Sequence, residues 1–139
     1  MTNLVIRPIP LELVNQFMTL ARPHIEAGLS NSDLSFDQAS VFLSNGSWQL
    51  LIALDEQENL QGAYTLALAN EPNDRTATIV TAGGRGLADP AAFEQVCAIA
   101  KSFGATKIQA LAKESAARLY RRAGLVEKAI LMEKKLWAE

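Results

Sequence analysis

Apolar residues recur along this chain with two periods, one typical of strands and one typical of helices. Three strand-like apolar runs follow one another in the middle of the sequence, at Trp48 to Leu54, Leu60 to Ala69 and Thr76 to Thr81. The polar turn Asp55 to Asn59 and the loop Asn70 to Asp74 separate these runs. Because the connections are short and polar, the pattern predicts an antiparallel meander.

Helical spacing predicts helices on the N-terminal side of this meander. After a short strand at 4–7, a helix begins near Pro10, where the missing N–H costs nothing. Pro23 is expected to end or kink that helix, because proline cannot donate the mid-helix hydrogen bond. A further helix follows, with Ser35 or Asp37 as its N-cap.

The C-terminal half continues the alternation of helices and strands. Asp89 and Pro90 form an N-cap and a first helical turn, and that helix ends at Gly104. A strand at 106–111, a helix at 113–123 and a last strand at about 126–137 complete the chain. We therefore predict one domain, residues 1–139, of mixed α/β class. Its sheet would be mostly antiparallel, with about six strands and helices on both faces.

The charge is distributed unevenly, which says more than the net value of −2. Residues 1–100 carry four basic and eleven acidic residues (−7), and residues 101–139 carry nine basic and four acidic residues (+5). A basic C-terminal third favours a local anionic ligand over a nucleic-acid surface, since basic and aromatic residues are not interleaved. The alternative is that the basic residues of the last helix, Arg118, Arg121 and Arg122, form a solvated face.

Other features narrow the class of protein. The chain has no apolar run of the ~20 residues that a membrane helix requires and no basic–apolar leader, so a cytoplasmic protein is expected. Its single cysteine, Cys97, is consistent with a reducing compartment and leaves no internal disulfide. With one Cys and one His, no metal site is expected.

Glycines are concentrated in the stretch TAGGRGLADP, residues 81–90, between a β-branched strand and a helix. A glycine-rich turn that leads into a helix can bind an anion, because the first helical N–H groups lack partners. Gly83, Gly84 and Gly86 would let a phosphate approach the backbone, and Arg85 would add a charged contact. The alternative is that these glycines only turn a strand into a helix.

The last helix carries the most specific motif. Its sequence AARLYRRAGL contains Ala116, Leu119, Tyr120, Gly124 and Leu125. This spacing resembles the Ala-x-x-Leu-Tyr-x-x-x-Gly-Phe pattern of the Gcn5-related N-acetyltransferase (GNAT) family. The order of elements is also similar to that family, over nearly the whole chain.

The resemblance implies an acetyltransferase that uses acetyl-coenzyme A as cosubstrate and a primary amine, on a small molecule or a protein, as acceptor. It implies that Tyr120 protonates the thiolate that leaves, although Tyr120 can equally be an amphipathic residue at the edge of the core. The family's pyrophosphate loop falls on Gly83, Gly84, Arg85, Gly86, Leu87 and Ala88. Lys113 and Arg121 would attract the phosphates of the cosubstrate.

Three departures from the family pattern leave a second hypothesis open. The loop begins with Gly83 where the family has Gln or Arg, and Lys113 stands where it often has Asn. The strand 75–81 has no carboxylate to act as general base, and the nearest acids are Glu71 and Asp74.

The second hypothesis is therefore a catalytically inactive GNAT-like scaffold. Within that family, a closer but loose resemblance is to short GNAT-like proteins often encoded by tailed phages. It rests on Gly46, Trp48 to Leu50, Gly62-Ala63 and Gly83-Gly84. It would imply a virion or host-interaction protein, with a second copy or a virion component as partner.

Overall fold

The computed structural model describes residues 3–30, 32–87, 89–112 and 114–137. Five strands form one sheet in chain order: β1 (Val5–Pro8), β2 (Trp48–Leu54), β3 (Leu60–Asn70), β4 (Arg75–Gly84) and β5 (Lys107–Ala110). The first four strands pair antiparallel, and β5 pairs parallel with β4. The mostly antiparallel mixed sheet is therefore confirmed.

Helices cover both faces of this sheet, as predicted. They are α1 (Val14–Leu29), α2 (Phe36–Ser44), α3 (Pro90–Ser102) and α4 (Glu114–Arg122), and a 3-10 turn (Leu11–Leu13) precedes α1. The helices α1 and α2 pack on one face, where their apolar side chains meet those of β2 and β3. On the opposite face, apolar residues of α3 and of the end of α4 pack against the sheet.

The sequence predicts that the first helix ends or kinks at Pro23. The prediction that it ends there is wrong, because α1 runs through Pro23 to Leu29. A proline in a helix interior costs about 3 kcal/mol. The apolar stripe on either side compensates for this cost, since Ala21 and Ile25 are fully buried and Leu29 is nearly so. Tertiary packing thus outweighs a local helix-breaking signal.

Two predicted helix caps are confirmed. Ser35 caps α2, and its side chain and that of Gln38 each accept the other residue's backbone N–H. Asp89 caps α3 by accepting the Ala91 N–H at 3.2 Å, with Pro90 as the first helical residue.

The prediction of a sixth strand at about 126–137 is wrong, since the structure has no strand in these residues. A strand requires a neighbour that exchanges N–H···O=C bonds. Among the described residues, no backbone hydrogen bond outside the helices and strands involves 126–137. The large apolar side chains of this segment are exposed: Val126, Ile130, Leu131, Met132, Leu136 and Trp137.

The strand β4 is longer than predicted and contains a bulge. Pairing with β3 continues through Gly83 and Gly84, so these two residues belong to a strand and not to a turn. Thr81 pairs with Thr65, but Ile79 pairs with Leu66, which leaves Val80 as an extra residue in β4. The buried Thr65 hydroxyl accepts the Thr81 N–H at 3.1 Å and stabilises this irregularity.

Candidate functional site

A cavity of about 190 Å³ lies between the sheet and the helices α3 and α4. Its walls combine small residues with two tyrosines. They are Tyr64, Ala82, Gly84, Leu87, Phe93, Ala116, Leu119, Tyr120 and Ala123. An apolar cavity with a few polar groups is the usual form of a small-molecule site.

The cavity adjoins the end of β4, where this strand extends beyond its neighbour. The parallel pairing of β4 with β5 ends at Ile79 and Ala110, next to the bulge at Val80. From Val80 to Gly84, β4 is therefore not paired with β5 along that edge. An open strand edge offers N–H and C=O groups to an extended ligand that contains amides.

Tyr120 is placed at this cavity by α4. Its ring is half-buried and meets Phe93 edge to face, with the ring centroids 6.0 Å apart. In the described part of the chain, no group hydrogen-bonds its hydroxyl. Burial raises the pKa of Tyr120 above its ordinary value, so this residue carries its proton at neutral pH. Such a group can act as a proton donor.

Tyr64 is the main residue of the site that the sequence analysis missed. Only 1% of its surface is exposed, and its hydroxyl donates to the Leu87 carbonyl at 2.8 Å. Burial, and to a lesser extent the neighbouring Tyr120 and Asp89, raise its pKa far above the ordinary range. This hydrogen bond therefore connects Leu87, in the loop after β4, to the strand β3. A lone tyrosine in a strand of small apolar residues is the signal that could have identified it.

The loop after β4 begins at Arg85. The Arg85 N–H donates to the Gln61 carbonyl at 3.0 Å, so the first amide of the loop is already bonded. Gly84 and Gly86 have φ values of +127° and +75°, which favour glycine. Their side chains are absent for conformational reasons, while Gly84 also lines the cavity.

Gly83 faces the opposite side of the sheet from the cavity. A Cβ atom at Gly83 would collide with the backbone carbonyl of His24 in α1. A Cβ at Gly28 would likewise come within 2.7 Å of Thr81 Cβ. The absence of side chains at Gly28 and Gly83 is thus explained by the close approach of α1 to β4.

The N-terminus of α3, which a glycine-rich turn would offer to an anion, carries its own carboxylate. Asp89 accepts the Ala91 N–H there, and Pro90 has no N–H to donate. A phosphate at this helix end would compete with the Asp89 side chain. The charge to attract it would come from arginine side chains, and Arg85 is exposed at the start of this loop.

The other residues predicted to bind the cosubstrate lie in α4 and in the loop after β4, or outside the described residues. Arg121 is exposed in the last turn of α4, where its guanidinium lies 4.0 Å from a Glu127 carboxylate oxygen. Leu87 lines the cavity. Ala88 and Lys113 lie outside the described residues.

The two acids that the sequence places nearest to the central strand lie at its far end. Glu71 accepts a hydrogen bond from Thr76 and pairs with Lys107 at 3.4 Å, and these contacts lower its pKa. Asp74 accepts a hydrogen bond from Thr106 and lies 3.8 Å from Lys107. About eight residues of strand, or about 25 Å, separate them from the cavity.

The described residues include no group of three or more His, Cys, Asp or Glu side chains able to hold a metal ion. Over the same residues, none of the helices is both long and apolar enough to span a membrane.

The fold has close counterparts among solved structures. A Pyrococcus furiosus protein named as an acetyl transferase is 22% identical, with a TM-score of 0.67 over 96% of this chain and 100% of its own. A Clostridium acetobutylicum protein named as an acetyltransferase, with acetyl-CoA, is 15% identical, with a TM-score of 0.66 over 96% and 97% of the two chains.

A third solved structure is an aminoglycoside acetyltransferase from an uncultured soil metagenomic sample, in complex with sisomicin. It is 14% identical, with a TM-score of 0.70 over 96% of this chain and 97% of its own. No protein-family model and no curated protein matches the sequence.

These similarities establish the GNAT-like fold, with five strands where about six were predicted. The likeness to phage-type proteins remains a prediction, since the names of these structures do not mention phages.

Proposed function

We propose that the protein is an acetyltransferase that uses acetyl-coenzyme A and transfers the acetyl group to a primary amine. The observation that carries this proposal is the cavity beside the end of β4 that β5 does not pair, with the Tyr120 hydroxyl lining it and bonded to no group among the described residues. The solved structures that share the fold and are named above are acetyltransferases, and one of them contains acetyl-CoA.

In this proposal, each part of the site has a separate task. The open edge of β4 binds the amide-containing arm of the cosubstrate, and the small side chains Ala82 and Ala116 leave room for it. Arg85 and Arg121 attract the phosphates. The amine attacks the thioester carbon, the C–N bond forms and the C–S bond breaks. Tyr120 gives its proton to the departing thiolate, the acceptor nitrogen loses one proton to water, and Tyr120 regains a proton from water.

The strand β4 has no carboxylate that could act as a general base. The acceptor amine is therefore expected to reach the site already deprotonated, although it is cationic in solution. Glu71 and Asp74 are held by Lys107 at the far end of the strand, so we assign them no part in proton removal. Sisomicin, the aminoglycoside bound to one of the structural relatives, makes polyamines of this kind a reasonable first set of acceptors.

The test is calorimetric titration of acetyl-CoA into the protein and into two variants of α4. Ala116→Phe fills the cavity, whereas Ala117→Phe adds the same ring at the next position, which does not line it. We expect micromolar binding that Ala116→Phe abolishes and Ala117→Phe preserves. Equal loss in both variants, or no binding by the folded protein, would refute the proposed site.

The second candidate is a catalytically inactive scaffold with the same fold. Two observations favour it: the Asp89 carboxylate occupies the start of α3, and the close packing of Gly83 accounts for that glycine without a ligand. A folded protein that binds neither acetyl-CoA nor desulfo-coenzyme A would support this candidate.

A further inference from the structure

Two threonine side chains form a buried polar pair at the bulge of β4. The hydroxyl oxygens of Thr65 in β3 and Thr81 in β4 lie 2.8 Å apart, and the Thr65 hydroxyl also accepts the Thr81 N–H at 3.1 Å. The two residues are 0% and 2% exposed, so both hydroxyls are shielded from solvent. Because polar groups in a protein interior need hydrogen-bond partners, this pair fixes how the two strands meet at the bulge.

The pair lies on the α1 face of the sheet, opposite the cavity. A Cβ atom at Gly28 of α1 would come within 2.7 Å of the Thr81 Cβ. Neither threonine lines the cavity, whereas the next residue of β4, Ala82, does. The two hydroxyls are therefore not in position to contact a molecule bound in the cavity, and their influence on it acts through the backbone of β4.

The bulge decides which residues of β4 border the cavity. Ile79 packs on the α3 side of the sheet, while both Val80 and Thr81 lie on the α1 side. Because one face receives two successive residues, every later residue is turned to the face opposite to the one that regular alternation would give it. Ala82 and Gly84 thereby border the cavity. Without the bulge, the larger Thr81 side chain would take the place of Ala82.

We propose that Thr65 is a positioning residue, whose hydroxyl holds β4 in the register that turns Ala82 and Gly84 toward the bound cosubstrate. This inference rests on the proposed function, because acetyl-CoA is the ligand whose amide-containing arm would lie along this part of β4. Thr65 makes no contact with that ligand, and its effect is transmitted by the Thr81 N–H that it accepts.

A threonine at the other end of β4 provides a matched control. Thr76 is also buried, with 1% exposure, and its hydroxyl donates to Glu71. It lies in the regular part of the strand, where β4 pairs with both β3 and β5. Thr65→Val and Thr76→Val each remove one buried hydroxyl at nearly constant shape. A general loss of stability is therefore common to both variants, whereas a loss of ligand affinity is expected only for Thr65→Val.

Calorimetric titration of acetyl-CoA into the wild-type protein and these variants tests the proposal. We expect Thr65→Val to raise the dissociation constant about tenfold or more, because the Thr81 N–H and hydroxyl lose their buried partner. Thr76→Val should bind like the wild-type protein, and so should Thr65→Ser, which keeps the hydroxyl. If Thr65→Val does not fold, Thr65→Ala removes the same hydroxyl, with Thr76→Ala as its control.

Amide hydrogen exchange without ligand, measured by NMR, follows the bulge directly. The Thr81 N–H should exchange about tenfold faster in Thr65→Val than in Thr76→Val. Undiminished binding by Thr65→Val, an equal loss of binding in both valine variants, or equal Thr81 exchange in both would overturn the proposal. A folded wild-type protein that protects the Thr81 N–H but does not bind acetyl-CoA would instead refute the proposed function on which the inference rests.

Discussion

The two faces of β4 at its C-terminal end differ sharply in how tightly they are packed. On one face, Gly83 lies directly against the backbone of α1, and even a methyl group would collide with the His24 carbonyl. On the other face, Ala82 and Gly84 border a cavity of about 190 Å³ beneath α3 and α4. The end of this strand thus has one side with no room for a side chain at Gly83 and one side that leaves room for a ligand.

This difference indicates a division of labour between the helices. The helix α1 fixes the position of β4, because Gly28 and the His24 carbonyl approach that strand closely. The helix α2 packs on the same face of the sheet. The helices α3 and α4 supply groups that face an open space, notably Tyr120. A rigid face that supports an open face is what a preorganised binding site requires.

The largest expected effect comes from adding a methyl group to the closed face. Gly83→Ala should lower the free energy of unfolding by about 3 kcal/mol, because overpacking against a backbone carbonyl cannot be relieved by side-chain rotation. Urea denaturation measures this loss. Ala82→Val adds two carbons on the cavity side and should cost far less. Equal costs for both variants would show that the two faces do not differ as described.

Removal of one hydroxyl from the open face should affect catalysis and not stability. Tyr120→Phe is expected to lower kcat for acetyl transfer about 100-fold, since a positioned general acid contributes at least this much. Its unfolding midpoint should remain unchanged, because no described group bonds that hydroxyl. Steady-state kinetics with an amine acceptor provides the measurement, and unchanged turnover would remove Tyr120 from the mechanism.

The other tyrosine hydroxyl should show the reverse behaviour. Tyr64→Phe leaves the Leu87 carbonyl without its donor, so unfolding should become easier by about 1 kcal/mol. Because burial raises the pKa of Tyr64 and Tyr120 in the folded protein, both tyrosines stabilise it fully below pH ~10. That contribution is lost as the pH rises further. Urea titrations at pH 8 and above pH 10 would reveal it, and a flat profile would argue against buried tyrosines.

The smallest effect is expected far from the cavity. Glu71→Gln removes a surface carboxylate whose pKa is lowered by Thr76 and then by Lys107. The stability that this group contributes is present above its unfolded pKa of 4.5 and declines as the pH falls below it. The variant should therefore weaken the pH dependence of unfolding below pH 5 without changing acetyl transfer. A loss of turnover would instead make Glu71 part of the site.

Local signals predicted much of the fold. The caps at Ser35 and Asp89 are correct, because each is decided by a side chain and a backbone N–H only a few residues away. The failures at Pro23 and at 126–137 share a cause. The helix α1 stays intact because it packs against residues distant in the sequence, and the last segment is not a strand because no neighbouring strand pairs with it. Neither condition can be recognised from a short stretch of sequence.

Less of the candidate site than of the fold could be predicted from the sequence. The motif around Tyr120 lies on α4, and Tyr120 lines the cavity, but its role remains a prediction. Ile79 packs on the α3 side of the sheet. If side chains simply alternated between the two faces after Ile79, Gly83 would face the cavity. The extra residue Val80 reverses this expectation, because a bulge cannot be recognised from alternating letters. Tyr64 was missed because its partner, the Leu87 carbonyl, belongs to the backbone.

The bulge at Val80 also affects how related sequences should be compared. A relative that lacks this extra residue would keep every later side chain on its proper face only if its strand were aligned with a one-residue gap at position 80. An ungapped alignment would instead match Ala82, which borders the cavity, with a residue that faces α1. At identities of 14–22%, alignment of this strand by the face of each residue is therefore a better guide than alignment by residue type.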